Sequence, residues 1–190
     1  MITIRVRCPM GQSCRFREDL FTKRWNSSFI IFIIGIVGLT LRFCLGTLLP
    51  TIWDVGHYLY WGKFVLDGKM PCRDFFARHP LYIYLMALSM KFFGYDIFPA
   101  IMVSVISSFF TIFILYKISS VLYGKKTGSI ACIIYTFAPT ILTYSTVPDE
   151  KSITLLLVSI AIAIIIQALR TQNSRFFLLF GVILGFSIYV

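Results

Sequence analysis

His79-Pro-Leu-Tyr-Ile-Tyr-Leu-Met-Ala-Leu-Ser-Met90 is a stretch of 12 residues without a formal charge, closed by Lys91-Phe-Phe-Gly94. As a helix it reaches about 18 Å, against roughly 30 Å of hydrocarbon in a bilayer. It is too short to cross. The runs around it are not. Phe29 to Leu49 gives 21 residues interrupted only by Arg42, Phe98 to Tyr116 gives 19, Gly128 to Val147 gives 20, and Ser152 to Leu169 gives 18. Phe176 to Val190 gives 15 and is still apolar at the last residue. A helix needs about 20 apolar residues to span a membrane, so these runs read as transmembrane helices and the 79–90 stretch as an interfacial one.

Charge supports that assignment. With the short stretch at the interface, 11 of the 18 basic residues fall on the cytoplasmic side: Arg5, Arg7, Arg15, Arg17, Lys23 and Arg24 before the first span, then Lys117, Lys125, Lys126, Arg170 and Arg175. If the stretch crossed, Lys125, Lys126, Arg170 and Arg175 would move outside, against the usual positive-inside bias. The arrangement places Asp54, Asp67, Asp74, Asp96, Asp149 and Glu150 outside, together with His57 and His79, and leaves only Glu18 and Asp19 inside. The external face gathers nearly every group able to do acid–base chemistry.

Composition agrees. Apolar residues make up 58% of the 190, charged residues 14%, and 19 Phe, 10 Tyr and 3 Trp must be hidden from water; the mean hydropathy is +0.83. A soluble domain carries roughly 25% charge. Cytosolic enzymes, disulfide scaffolds and disordered tails are excluded. The net charge of +10 is distributed as membrane topology requires and not as a nucleic-acid surface. The fold expected is an all-α, polytopic transmembrane bundle in a plasma membrane. A basic cytoplasmic tail over 1–28 precedes a membrane domain over 29–190, with an external loop and juxtamembrane helices over 50–97. Five scattered cysteines lack metal or redox spacing, and Cys44 and Cys132 inside apolar runs are expected to pack as small hydrophobes.

The external loop carries the chemistry. In Trp53-Asp-Val-Gly-His-Tyr-Leu-Tyr-Trp-Gly-Lys63, helical spacing puts Asp54, His57, Tyr58 and Trp61 on one face. The turn Leu66-Asp-Gly-Lys69 ends that helix, and Pro71 is placed to start another. Asp54, just beyond the first span, is a carboxylate whose pKa a partly dehydrated site can tune; position alone equally allows a helix cap. Asp149 and Glu150 follow Pro148 and open a span, where capping and the helix dipole offer an alternative account. His57 and His79, 22 residues apart without metal-ligand spacing, suit hydrogen bonding better than a metal, and neither metal nor cofactor is expected. Arg73, Arg78, Lys69 and Lys91 are suited to phosphate or to anionic lipid headgroups. Arg42, inside the first span, either snorkels outward or faces a polar cavity.

Taken in order, Asp54 after the first span, the Asp67-Gly68 turn, His79-Pro80-Leu81, Phe93-Gly94 and Asp149 in Val147-Pro-Asp149, 95 residues after Asp54, form a recognisable set. It resembles the amino-terminal part of the GT-C fold glycosyltransferases, in particular the protein O-mannosyltransferase and aminoarabinose-transferase-like group. The resemblance implies a hexosyl or pentosyl transferase with a polyprenyl-phosphate-linked sugar as donor and membrane lipids around it. Asp54 would be the catalytic base, and His57, Tyr58, Arg78, His79, Lys91 and Asp149 would bind substrate. Relatives carry Glu after the catalytic Asp where this chain has Val55, and they have further spans. The resemblance therefore implies a front portion that lacks its C-terminal half or is completed by a second subunit. Two other readings stand beside it: a transporter or flippase-like accessory protein for lipid-linked sugars, and an inactive remnant.

Overall fold

The computed structural model describes residues 25–48 and 53–190, with the side chains of 25–28, 30 and 53–55 excepted. Most of the basic tail expected over 1–28 lies outside the described residues. Among those described, every regular element is helical: α1 (Trp25–Leu48), α2 (Trp53–Leu66), α3 (Pro80–Phe93), α4 (Ile97–Tyr123), α5 (Lys125–Phe137), α6 (Pro139–Thr146), α7 (Lys151–Thr171) and α8 (Ser174–Ile188). The architecture is an all-α helical membrane bundle. Three helices, α1, α4 and α7, are individually long and apolar enough to cross a bilayer, and α5 with α6 makes a fourth if the bent pair is one span. The perimeter is correspondingly apolar, with Phe32, Ile36, Phe110, Ile134, Leu178 and Phe186 among the large side chains that face outward. An apolar surface of that extent is stable only against lipid or another protein.

Local sequence explains where the helices stop. Gly68, Gly94 and Gly124 have φ of 85°, 88° and 93°, which glycine adopts without a Cβ penalty. They follow α2, α3 and α4. Asp96 caps α4 by accepting from the Ile97 N–H at 2.7 Å, and Asn173 caps α8 by accepting from the Arg175 N–H at 3.0 Å. Pro80 takes the first helical position of α3, where its missing N–H costs nothing. Pro71, by contrast, starts no helix. Residues 71–75 form a tight turn closed by the Cys72 N–H on the Phe75 carbonyl at 3.0 Å, and the Asp74 carboxylate holds the Met70 N–H at 2.8 Å.

Two apolar runs behave differently from the spans expected. The run over 128–147 is not one straight helix, because α5 and α6 meet at an angle of 60°. Pro139 is the cause: it offers no N–H to the Tyr135 carbonyl, and its ring excludes a straight continuation. The run from Phe98 continues past Tyr116 to Tyr123, so α4 is roughly 40 Å long at 1.5 Å per residue. At 14 and 15 residues, α3 and α8 are only roughly 21–23 Å long.

The core has two parts. Tyr58, Tyr82, Ile83, Met86, Met90, Ala100 and Ile153 knit α2 and α3 onto α4 and α7. Gly62 lets α2 approach α3 closely, since a Cβ there would lie 3.0 Å from the Met90 sulfur. Deeper in the bundle, Ile31, Ile112, Cys132 and Tyr135 join α1, α4 and α5. Cys132 is fully buried as expected, whereas Cys44 is exposed on the outer face of α1. Arg42 does not snorkel. It is 1% exposed, and its Nε donates to Ser145 Oγ at 2.8 Å.

Candidate functional site

The site forms where the segment joining α1 to α4 meets the turn between α6 and α7. Helix α2 presents Tyr58 inward, where it is 7% exposed and packs edge-on against the fully buried Tyr82 of α3, ring centroids 4.9 Å apart. The Tyr58 hydroxyl donates to Glu150 Oε2, 92 residues later. His79, at the N-terminal boundary of α3, brings Nε2 to 3.8 Å from Glu150 Oε1, and its ring centroid lies 6.5 Å from that of Tyr58. One carboxylate thus meets groups from two other elements.

The neighbouring acid is held differently. Asp149 Oδ2 pairs with Lys151 Nζ at 2.5 Å, and Oδ1 accepts from the Lys151 N–H at 3.3 Å. The Ser104 hydroxyl of α4 lies 3.4 Å from both the Asp149 N–H and its carbonyl, able to accept from the first and donate to the second. Capping therefore describes Asp149. It fails for Glu150, which occupies the N-cap position of α7 yet makes no capping bond with its side chain.

The two carboxyls are driven apart electrostatically. For Asp149, burial pushes the pKa up and a hydrogen bond to Glu150 adds to it, while Lys151 pulls the other way without prevailing. For Glu150, burial also pushes up, but hydrogen bonds from Asp149 and Tyr58 and the adjacent His79 outweigh it and hold the group below its ordinary value. Burial and donation to Glu150 raise Tyr58 well above a free phenol, and burial does the same to Tyr82 against a smaller opposing pull from Ser104. The Tyr82 hydroxyl has no hydrogen bond of good geometry. The two neighbouring carboxyls are thus shifted in opposite directions, Asp149 up and Glu150 down, the kind of difference that lets adjacent acids take different roles.

Beside this cluster runs a groove of about 460 Å³ between α7 and α8. His79, Glu150 and Lys151 line its polar end, and Leu155, Val158 and Ile188 its apolar wall. The end of α8 reaches the start of α3, where the Leu81 N–H donates to the Tyr189 carbonyl at 3.4 Å.

Of the residues singled out from sequence, Tyr58, His79 and Asp149 come together here. His57 is exposed, its ring tilted at 5.9 Å from that of Trp61, which also packs edge-on against Tyr58 at 5.8 Å, and among the described residues no hydrogen bond or ring contact joins it to Glu150 or His79. Arg78 is exposed beside His79. Lys91 is exposed at the far end of α3, roughly 18 Å along the helix from His79, and does not join the cluster. Asp54 stands in the first turn of α2, one helical turn before Tyr58, with its side chain outside the described residues. Glu150, Lys151 and Ser104 were not selected as binding residues from the sequence. The signal for the first two was their adjacency to Asp149. Ser104 belongs to a stripe with Ser107, Ser108 and Thr111 at helical spacing within the apolar run, which marks a buried face but does not single out Ser104. Among the described residues, no three His, Cys, Asp or Glu side chains converge as a metal site would require.

Comparison with known proteins found no matching curated protein and no matching solved structure. A family match was found: residues 77–190, more than half of the chain, correspond to the dolichyl-phosphate-mannose-protein mannosyltransferases. That segment contains His79, Ser104, Asp149, Glu150 and Lys151, the greater part of the cluster. An all-helical membrane bundle with this match belongs to the dolichyl-phosphate-mannose-protein mannosyltransferase family, membrane glycosyltransferases of the GT-C type.

Proposed function

We propose that the chain moves a sugar from a polyprenyl-phosphate donor to an acceptor on the external face of the plasma membrane, with Asp54 as general base and the tail over 1–28 in the cytoplasm. The observation that carries this reading is the hydrogen bond from Tyr58 to Glu150. It joins the helix that begins at Trp53 to the acidic turn before α7, so a base at position 54 would work beside the Asp149–Glu150 pair.

The reaction needs little else. Asp54 takes the proton of the acceptor nucleophile as it attacks the anomeric carbon, the bond from that carbon to the phosphate oxygen breaks, and the polyprenyl phosphate leaves with the electron pair. Lys151 on the groove wall, helped by the exposed Arg78 next to His79 in sequence, stabilises the charge that grows on the leaving phosphate. Asp149, Glu150 and His79 orient the acceptor or the sugar hydroxyls. The groove supports the donor assignment, because its polar end and apolar wall match a phosphate on a hydrocarbon chain.

Asp54→Asn tests the reading. It keeps the shape and removes the base, so transfer from a polyprenyl-phosphate sugar in proteoliposomes should fall by at least ~100-fold, while insertion and yield stay unchanged. Transfer that persists in the variant would remove Asp54 from the mechanism. Lipid-linked sugar flux that persists without any transfer would favour the transporter reading.

A further inference from the structure

Arg42 precedes Tyr58 by 16 residues and Glu150 by 108, sits within the apolar length of α1, and is almost completely buried. Its partners are neutral oxygens. Nε donates to Ser145 Oγ of α6 at 2.8 Å, Nη1 to the Gly38 carbonyl of its own helix at 3.1 Å, and Nη2 to the Tyr135 carbonyl of α5 at 3.4 Å. The guanidinium carbon also stands 5.7 Å from the centre of the Tyr135 ring. A charge inside a membrane protein is costly and needs a reason.

The sequence of α5 and α6 supplies one. In a continuous helix the Tyr135 carbonyl would accept from residue 139, but that residue is proline and has no N–H to give. A carbonyl left without a donor in a dry interior is strongly unfavourable. Arg42 fills the gap with one arm and grips α6 with another, as the planar fork of a guanidinium allows and a lysine ammonium does not. The grip lies four residues before Asp149.

Other contacts carry the restraint onward. Gly46, one turn after Arg42 on α1, lets the Thr146 carbonyl come so close that a Cβ would sit 2.9 Å from it. Ser152 at the start of α7 donates to the Tyr144 carbonyl at 3.1 Å. The Tyr135 hydroxyl shares a hydrogen bond with Ser108 of α4 at 3.2 Å. The end of α6 is therefore held from α1 and α7, and the turn at 147–150 hangs from that fixed end.

We propose that Arg42 is a positioning residue for the acidic turn: by fastening the break between α5 and α6 to α1, it sets Glu150 against Tyr58 and His79. The proposal rests on the proposed function only for its kinetic consequence, and its structural consequence is measured separately.

Both are tested with Arg42→Met. In a cysteine-free background carrying Glu150→Cys, maleimide labelling should be slow with Arg42 present and about tenfold faster in Arg42→Met, because the turn is released. In the transfer assay, Arg42→Met should lower kcat by about tenfold in the native background and by less than about twofold in Glu150→Gln, the non-additivity of two residues acting through one contact. A residue that merely stabilises the bundle would cost the same in both. If Arg42→Met does not accumulate as folded protein, Ser145→Ala removes the Nε partner alone and should raise the labelling rate about threefold. Unchanged labelling, or additive kinetic losses, would overturn the proposal. If Glu150→Gln alone leaves transfer intact while labelling still depends on Arg42, the functional reading of the acidic turn fails and the positioning role stands.

Discussion

A phenol that donates to a carboxylate favours its ionised form, and Tyr58 does this for Glu150. The sign of the consequence follows from the direction of the shift. The pKa of Glu150 in the folded protein is depressed, so the stabilisation it brings is complete above its unfolded value and is lost as pH falls through the folded one. Tyr58→Phe removes the donor while keeping the ring that packs on Tyr82, so that loss should begin at higher pH. The acid limb of the pH–rate profile should shift upward by about one unit, with little change in the alkaline limb. An acid limb that stays in place would show that activity does not depend on ionised Glu150. Asp149 has the opposite sign: its pKa is raised, so it opposes folding increasingly as pH rises from its unfolded towards its folded value. An acidic pair after Pro148 is visible in the sequence, but not which member turns towards α2. Successive residues at the start of a helix point about 100° apart. Which of the two reaches Tyr58 depends on how α7 is docked, and that is decided by contacts such as Ser104 with Asp149 that no local pattern announces.

At the scale of elements, close approach between helices is the sensitive quantity. Gly46 and Gly56 both sit within helices, and both would gain about 1 kcal/mol of helix propensity on becoming alanine. Their surroundings differ. A Cβ at position 46 meets the Thr146 carbonyl at 2.9 Å and Ile101 at 3.0 Å, whereas nothing lies within 4 Å of one at position 56. Forcing a methyl into a packed contact costs about 1–3 kcal/mol. Gly46→Ala should therefore melt below the native protein in detergent, and Gly56→Ala at or above it. If the two variants melted alike, the contact between α1 and α6 would not contribute to stability. The helices themselves were largely legible, because charge-free runs and the glycines at 68, 94 and 124 mark their bodies and their ends. The bend between α5 and α6 was legible in part: Pro139 stands in the middle of the 128–147 run, but a proline kinks some membrane helices and only weakly perturbs others, depending on what satisfies the freed carbonyl. Here that partner is Arg42, 97 residues before the proline, and nothing local connects them. The turn at 71–75 shows the reverse error, since a proline that can open a helix also fits a tight turn when a following Asp captures a backbone N–H.

Over the whole molecule, charge sorts with connectivity. Asp54, Asp67, Asp74 and Asp96 all fall in the segment from the start of α2 to the start of α4, and Asp149 and Glu150 in the α6–α7 turn. The hydrogen bond from Tyr58 to Glu150 shows that these two connections meet at one end of the bundle. The helix ends that flank the α4–α5 and α7–α8 turns carry Lys125, Lys126, Arg170 and Arg175 and no acid. At roughly 21 Å, α3 is too short to cross; in the topology we propose, α1 and α4 therefore run in opposite senses through the bilayer and both basic ends share a side with the start of α1. The proposed orientation, drawn from the positive-inside bias, puts those helix ends in the cytoplasm and the acidic cluster outside. Two single-cysteine variants in a cysteine-free background test this in intact cells. Lys151→Cys replaces a side chain that is 54% exposed at the acidic end, and it should react with a membrane-impermeant maleimide added outside. Lys126→Cys, exposed at the basic end, should react only after permeabilisation. Labelling of position 126 from outside would invert the bundle or carry α3 across the membrane. An inverted bundle would leave the donor phosphate on a face where the described chain has no carboxylate to receive a proton, and a crossing α3 would part Asp54 from Asp149 and Glu150, so either result would overturn the proposed chemistry together with the topology.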